Sequence, residues 1–297
     1  MNVLVTGGSG FIGSHIVDKL IEQGYMVRVF DKQKPLREDV EWFKGDLLNE
    51  NAALEACKDI EFIYHLAAIA DVNIALSNPA LCMQVNEIGT LNLLNAASAM
   101  EVERVLLAST TWVYGKIEGE VDESTPIPPP DHIYTKTKIG QEHLLIAWHE
   151  QTRLPYTILR YDIPYGPRMR ANMAMAIFVR KAMKKEPITI FGDGNQGRCF
   201  IYVEDLAKGS VAALQPSACN QVFNIAGNEF VTVNKIVEVL QESFRDIKVE
   251  HTPPRPHDFK GVVVNIEKAR QLLDWEPKTA FKEGLKKLIE YTRSQKI

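Results

Sequence analysis

Tyr134 and Lys138 stand four residues apart in a segment whose pattern predicts a helix from about Thr135 to Gln151, so both side chains lie on one helical face. Of the nine tyrosines, only Tyr134 is followed by a lysine at that distance. A phenol with its ordinary pKa of ~10 is a poor base at neutral pH, and a neighbouring ammonium stabilises the phenolate. Thr110 lies just past the predicted strand Val105 to Ala108, where its hydroxyl could hold a substrate oxygen and relay a proton to Tyr134. Alone, such a pair reads as a surface tyrosine stacked on a lysine stem. A second feature changes that reading.

Gly7-Gly8-Ser9-Gly10-Phe11-Ile12-Gly13 follows the predicted strand Val3-Leu4-Val5 and opens the predicted helix Phe11 to Gln23. Glycines at Gly7, Gly10 and Gly13 let the backbone approach a pyrophosphate, whose charge is met by amide groups at the helix N-terminus, Phe11 and Ile12 included. Asp31 ends the next predicted strand, eighteen residues after Gly13. A carboxylate there accepts hydrogen bonds from ribose hydroxyls and repels a 2′-phosphate, which favours NAD over NADP. The neighbouring Lys32, counted with the cofactor contacts, and Lys34 weaken that preference slightly. A bland alternative makes the glycines a tight turn and Asp31 a strand end. The strand-turn-helix setting argues against it, and a cationic nicotinamide would add to the stabilisation of a Tyr134 phenolate.

These residues need a scaffold that gathers them. Short apolar runs at Val3 to Val5, Met26 to Phe30, Phe62 to Leu66, Val105 to Ala108 and Tyr156 to Arg160 alternate with helical stretches at Phe11 to Gln23, Asn51 to Ala56, Pro79 to Met100 and Thr135 to Gln151. That alternation predicts an α/β fold with a doubly wound parallel sheet of the Rossmann type. After Gly166-Pro167 the rhythm changes to a helix near Met175 to Lys185, the strand Ile188 to Ile190 and the turn Gly192-Asp193-Gly194-Asn195, while Val222 to Ile225 reads as a strand rejoining the sheet. The expected division is a dinucleotide-binding domain over 1–167, with 198–226 rejoining it, and a smaller C-terminal α/β substrate domain from 168–197 and 227–297. Pro253, Pro254 and Pro256 mark a rigid loop in the second part.

The composition, 45% hydrophobic and 24% charged with a formal net charge of −4, is ordinary for a globular chain and offers no basic stripe for nucleic acid. No run of about eighteen apolar residues predicts a membrane span. Met1 leads almost directly into the first strand with no leader pattern, so the expectation is a cytoplasmic protein. Cys57, Cys82, Cys199 and Cys219 are far apart, which suggests reduced thiols, and the spacing of the seven histidines predicts no metal site.

The motifs in order resemble the extended short-chain dehydrogenase/reductases of the NAD-dependent epimerase/dehydratase family. The resemblance is carried by Gly7 to Gly13, Asp31, Gly45-Asp46-Leu47, His65-Leu66-Ala67-Ala68, Asn86 with Gly89-Thr90, and Thr110 before Val113-Tyr114-Gly115. It continues through Tyr134 and Lys138, Tyr165-Gly166-Pro167, Arg198 before Phe200 to Asp205, and Arg255 before Asp258. It implies Asp46 and Leu47 beside the adenine, Leu66, Ala67 and Ala68 along the cofactor, Lys138 on the nicotinamide ribose, and Tyr161 and Ile163 among the cofactor contacts. Substrate contacts implied are Thr110, Thr111, Tyr134, Asn172, Arg198, Arg255 and Asp258. The two arginines face a nucleoside diphosphate, since a guanidinium fork suits phosphate oxygens. A homodimer through helices at Asn92 to Met100 and Thr135 to Trp148 is implied too, although Leu144, Leu145 and Trp148 could equally be core.

Within the family the residues after the threonine separate the reactions. Dehydratases carry an Asp-Glu pair there and decarboxylases a glutamate at the second place; this chain has Thr111-Trp112. The expected activity is epimerisation of a nucleoside-diphosphate sugar, most simply a UDP-sugar, at carbon 4 through a 4-keto intermediate. A ketoreductase, a dehydratase using acids elsewhere, and a non-catalytic NAD sensor are the alternatives. Two positions depart from the family pattern: Ile163 stands in place of an asparagine, and Cys199 in place of an aspartate.

Overall fold

A computed structural model describes residues 1–117, 119–254 and 260–295 of the chain. Seven strands form one parallel sheet in the order Gln221–Ile225, Tyr156–Tyr161, Arg104–Thr110, Phe62–His65, Asn2–Thr6, Met26–Asp31 and Glu41–Lys44. The chain starts in the middle, winds to one edge, then returns and winds to the other. Between Asn2–Thr6 and Phe62–His65 the direction reverses, and a crevice at the carboxyl ends of the strands is the expected ligand site of such a sheet.

Alternation along the strands explains the layers. Val3 and Val5 face a core with Ile16, Leu20, Leu206 and Ala207, whereas Leu4 faces one with Ile63, Leu93, Leu94 and Ile158. The expected strands and the rejoining Val222 to Ile225 are all present. Glu41–Lys44 is an additional edge strand, mostly exposed and too short and polar to show as an apolar run. Pro79 to Met100 is also not one uniform helix. It runs as Pro79–Met83, a π-helical turn at Gln84–Ile88 and Gly89–Ala99. A third core gathers Met175, Val179, Ile188, Ile190, Val237, Leu240, Leu285 and Leu288 from the second half of the chain. The strand Ile188–Phe191 there pairs in parallel with Val249–Thr252.

The helix Ile133–Thr152 packs on the sheet through polar groups. Glu142, 2% exposed, accepts from Arg160 twice, Nε at 3.1 Å and Nη2 at 2.8 Å, and from the Ser109 hydroxyl. Arg160 also donates to the Tyr114 hydroxyl at 3.0 Å, which donates onward to Asn224 at 2.7 Å. Removing one partner of such a pair strands a buried charge. Glu142→Ala is therefore expected to lower the unfolding free energy by about 3–5 kcal/mol, measured by urea denaturation; a loss below about 1 kcal/mol, as for an exposed pair, would contradict this account.

Candidate active site

The first strand ends in a turn that only glycine fits. Gly7 has φ +71°, and a Cβ on it would lie 2.7 Å from the Ala67 amide nitrogen. A Cβ on Gly13 would lie 2.2 Å from the Gly7 carbonyl oxygen, so the helix Phe11–Glu22 starts in direct backbone contact with the turn. No described side chain caps that helix. Its first amides, at Phe11, Ile12 and Gly13, have no intrahelical acceptor and are free to meet an anion. Asp31 reaches across the turn: its carboxylate accepts from the amides of Ser9 at 3.1 Å and Gln33 at 2.9 Å. Lys32 pairs with Asp46 at 2.8 Å, and Leu47 is buried with its carbonyl held by Asn92. Together these residues form the wall that the sequence assigned to an adenosine.

Leu66, Ala67 and Ala68 continue from the fourth strand, half-buried, beside the glycine turn. His65 beneath them is 1% exposed. The Thr90 hydroxyl has one proton, donated to the Asn86 carbonyl, so at its 2.8 Å contact with His65 Nε2 the threonine accepts and the imidazole donates. Nδ1 then accepts from the Thr6 hydroxyl at 2.8 Å. Burial first, and the Lys138 charge second, push the His65 pKa down to about 3. Asn86, in the π-helical turn, holds Ile69 through both amide and carbonyl, at 2.8 and 3.1 Å, and donates to Thr137 at 2.9 Å. The segment following Ala68 is thereby tied to the helix that carries Tyr134.

Thr110 ends the strand Arg104–Thr110, and its hydroxyl oxygen accepts from the Trp112 amide at 3.2 Å. The Trp112 ring meets His132 edge-on at 5.2 Å and Tyr134 at 6.3 Å, while His132 and Tyr134 lie parallel at 6.2 Å. His132 also caps the helix, accepting from the Thr135 amide at 3.2 Å. Thr110, Trp112 and Tyr134 are thus one cluster. Lys138 is 3% exposed and donates from Nζ to the Ala108 carbonyl at 2.8 Å, two residues before Thr110. Burial brings its pKa down to about 8, against the pull of the Glu142 charge. Burial also raises the Tyr134 phenol above its ordinary value, and the opposing charge is Arg170. That arginine was not among the sequence candidates; it lies in a loop that no local motif marks.

Other expected contacts lie as follows. Thr111 donates to Asp162 at 2.9 Å. Tyr161 is in the core with its hydroxyl 2.8 Å from Ser210, and Ile163, half-buried, offers its carbonyl to the Ile201 amide. Asn172 is exposed and donates to Asp71 at 2.7 Å, closing the loop after Pro167 onto the one after Ala68. Arg198 donates to the Gly197 carbonyl at 2.6 Å, beside Gly261. Arg255 and Asp258 lie outside the described residues. Leu145 is core, whereas Leu144 and Trp148 are partly buried, the indole donating to Ser98 at 2.9 Å. Among the described residues no three His, Cys, Asp or Glu side chains form a metal-ligand set, and no helix is long and apolar enough to cross a membrane. Sequence reasoning missed Asp162, whose partners Thr111 and Cys199 are distant in the chain, and His132, whose capping of the helix start is a role more often filled by Ser, Thr, Asp or Asn, as well as Arg170.

The sequence profile described as the NAD dependent epimerase/dehydratase family matches residues 3–226. The fold superposes with a TM-score of 0.93 on UDP-glucose 4-epimerase from Thermotoga maritima, solved with UDP-glucose, at 35% identity over 99% of both chains. UDP-glucuronic acid 4-epimerase from Bacillus cereus, solved with UDP-glucuronic acid and NAD, gives a TM-score of 0.92 at 31% identity over 99% of this chain and 100% of that one. UDP-glucuronic acid decarboxylase 4 of Arabidopsis thaliana is 31% identical over 309 aligned positions, spanning 99% of this chain and 69% of that protein.

The His65 network makes a prediction that does not depend on substrate. A histidine whose folded pKa lies near 3 contributes stability that is whole above its unfolded value of about 6.5 and is lost as pH falls below it, by about 2 kcal/mol at pH 5. Nitrogen NMR of the folded protein should show His65 neutral, with its proton on Nε2, throughout pH 5–8; a resonance titrating inside that window would refute the assignment.

Proposed function

We propose that this chain, which belongs to the NAD dependent epimerase/dehydratase family, is an NAD-dependent 4-epimerase of a UDP-sugar. The observation that carries the reading is the cluster at the carboxyl edge of the sheet. Thr110 holds the Trp112 amide, Tyr134 packs against the Trp112 ring, and the buried ammonium of Lys138 bonds the Ala108 carbonyl on the Thr110 strand, while an aromatic ring stands at Trp112, where an acid would serve dehydration or decarboxylation.

The turn fits NAD. The space that a Cβ on Gly7 or Gly13 would need is taken by backbone, and the uncapped amides of Phe11 to Gly13 offer donors for a pyrophosphate. Gly7, Gly10, Phe11, Ile12 and Gly13 would hold the phosphates, Asp31 the adenosine ribose, Asp46 and Leu47 the adenine side, and Leu66 to Ala68 with Lys138 the remainder. Bound NAD supplies reversible two-electron oxidation at sugar carbon 4.

The chain supplies the proton transfers and the orientation. Thr110 holds the carbon 4 oxygen, and Tyr134 removes its proton and later returns it. Burial keeps the resting phenol protonated, and the Arg170 charge opposes that; in this reading the ammonium of Lys138, one helical turn on, is given the same task. Arg198, and Arg255 by resemblance, hold the diphosphate, while the 4-keto sugar turns over to present its other face. Asn172, a substrate contact by resemblance, ties the loop after Pro167 to the one after Ala68. Residues 168–197 and 227–297 form the substrate-binding unit in this reading, with a homodimer through the helices at 92–100 and 135–148. Three of the four cysteines are buried and all four are free, in keeping with a reducing, cytoplasmic setting.

The test is incubation of the purified protein, supplied with NAD, with UDP-glucose, UDP-glucuronate and other nucleotide sugars. Interconversion of 4-epimers is expected, and failure to interconvert any pair would end the proposal; carbon dioxide release from UDP-glucuronate would favour the decarboxylase. Tyr134→Phe should reduce turnover by about 10²–10⁴-fold and leave NAD binding intact. Turnover should also fall as pH rises through about 8, where Lys138 loses its proton; a flat profile from pH 7 to 10 would remove the lysine from the mechanism.

A further inference from the structure

Asp162 is a buried carboxylate, 4% exposed, at the end of the strand Tyr156–Tyr161. In the parallel register Thr110 stands opposite Tyr161, so Thr111 and Asp162 each follow directly beyond that pair, at the carboxyl edge where ligands bind. One carboxylate oxygen accepts from the Thr111 hydroxyl at 2.9 Å and the other from the Cys199 amide at 3.1 Å. Cys199 is 2% exposed, and its amide belongs to the residue directly after Arg198. Three separate segments therefore meet on one side chain: the turn after the catalytic strand, the end of its neighbour, and the strand Gly197–Arg198.

We propose that Asp162 is a positioning residue that fixes the backbone at Arg198, and with it the guanidinium that grips the substrate diphosphate, relative to Thr110 and Thr111. This rests on the reading of Arg198 given above. A long, flexible side chain binds phosphate well only when its root is held, and here the root is anchored one residue away by an amide bonded to the sheet. Burial alone would push the Asp162 carboxyl up; it does so to about 6, opposed by the Thr111 hydrogen bond and the Arg198 charge. At neutral pH the group is mostly an anion, facing the cation it helps to place.

Anchoring of this kind acts on ground state and transition state alike, so its loss appears in binding rather than turnover. In Asp162→Ala the Cys199 amide loses its partner and Arg198 its fixed root. The KM for the UDP-sugar and the dissociation constant for UDP, measured by calorimetry, should both rise about tenfold, while kcat stays within about threefold. Asp162→Asn can still accept from Cys199 through its carbonyl and donate to Thr111 through its amide, so it should recover most of the UDP affinity. Asp162→Ser, whose hydroxyl falls short of Cys199, gives the same reading as alanine if the alanine variant does not fold.

UDP affinity unchanged in Asp162→Ala or Asp162→Ser would overturn the proposal, as would a loss in Asp162→Asn equal to that in Asp162→Ala. A fall in kcat with UDP affinity preserved would assign Asp162 a different role and overturn it equally. Arg198→Ala separates the two levels. If that variant binds UDP normally, the diphosphate reading of Arg198 fails; if it loses UDP while the Asp162 variants keep it, only the anchoring role fails.

Discussion

The helix Ile133–Thr152 buries Thr135, Thr137, Lys138, Gln141, Glu142 and Leu145, so every buried group but one is polar. Such a face is costly unless each group finds a partner. Thr137 donates to the Tyr134 carbonyl and accepts from Asn86, Lys138 donates to Ala108, Gln141 donates to Thr90, and Glu142 accepts from Ser109 and Arg160, while on this face the Gln141 side-chain oxygen is buried without a partner among the described residues. The partners come from different strands and helices. Sliding the helix by one residue, about 1.5 Å along its axis, would break several of these bonds together. Its position is thus set by hydrogen-bond geometry where an apolar stripe would allow more than one fit.

That constraint is what gives Tyr134 a fixed address. The phenol sits in the first turn, where helices fray, but His132 caps the turn from one side and the Trp112 ring packs against it from the other. The remaining residues are delivered by the sheet. Parallel strands bring all their carboxyl ends to one edge, so Gly7, Asp31, Leu66, Thr110 and Asp162 become neighbours although they are scattered over half the chain. The Asn86 bonds to Ile69 and Thr137 then tie the loop after Leu66 to the same helix.

Much of this was legible in the sequence because the signals are local. Apolar runs, a strand-turn-helix glycine pattern and a tyrosine with a lysine one turn on each depend on residues close in the chain. What was not legible depends on neighbours that sequence spacing does not show. Trp42 and Phe43 lie in an edge strand flanked by charge, which carries no apolar run. The π-helical turn at Gln84–Ile88 is announced by no residue type of its own, and what it does appears only in the reach of Asn86 to Ile69. Asp162 follows an arginine and a tyrosine as an ordinary loop acid would. Its meaning comes from Thr111 and Cys199, which are 51 and 37 positions away in the chain.

Glu142 connects stability to chemistry. It holds Arg160 and Ser109, and so fixes where the helix lies on the sheet; one turn earlier on the same face, its charge favours the ammonium of Lys138. Burial would otherwise move that lysine further toward its neutral form, in which it could not support a phenolate. A surface acid at the same spacing would be screened by water and do little for either task. The acid has to be buried to influence the lysine, and once buried it requires Arg160 to balance it. Arg160 in turn requires the hydroxyl of Tyr114, and that hydroxyl requires the side-chain amide oxygen of Asn224 as acceptor on the sheet's outermost strand. Keeping a buried lysine charged, as the proposed mechanism requires of Lys138, thus brings with it a chain of polar contacts that reaches the edge of the sheet.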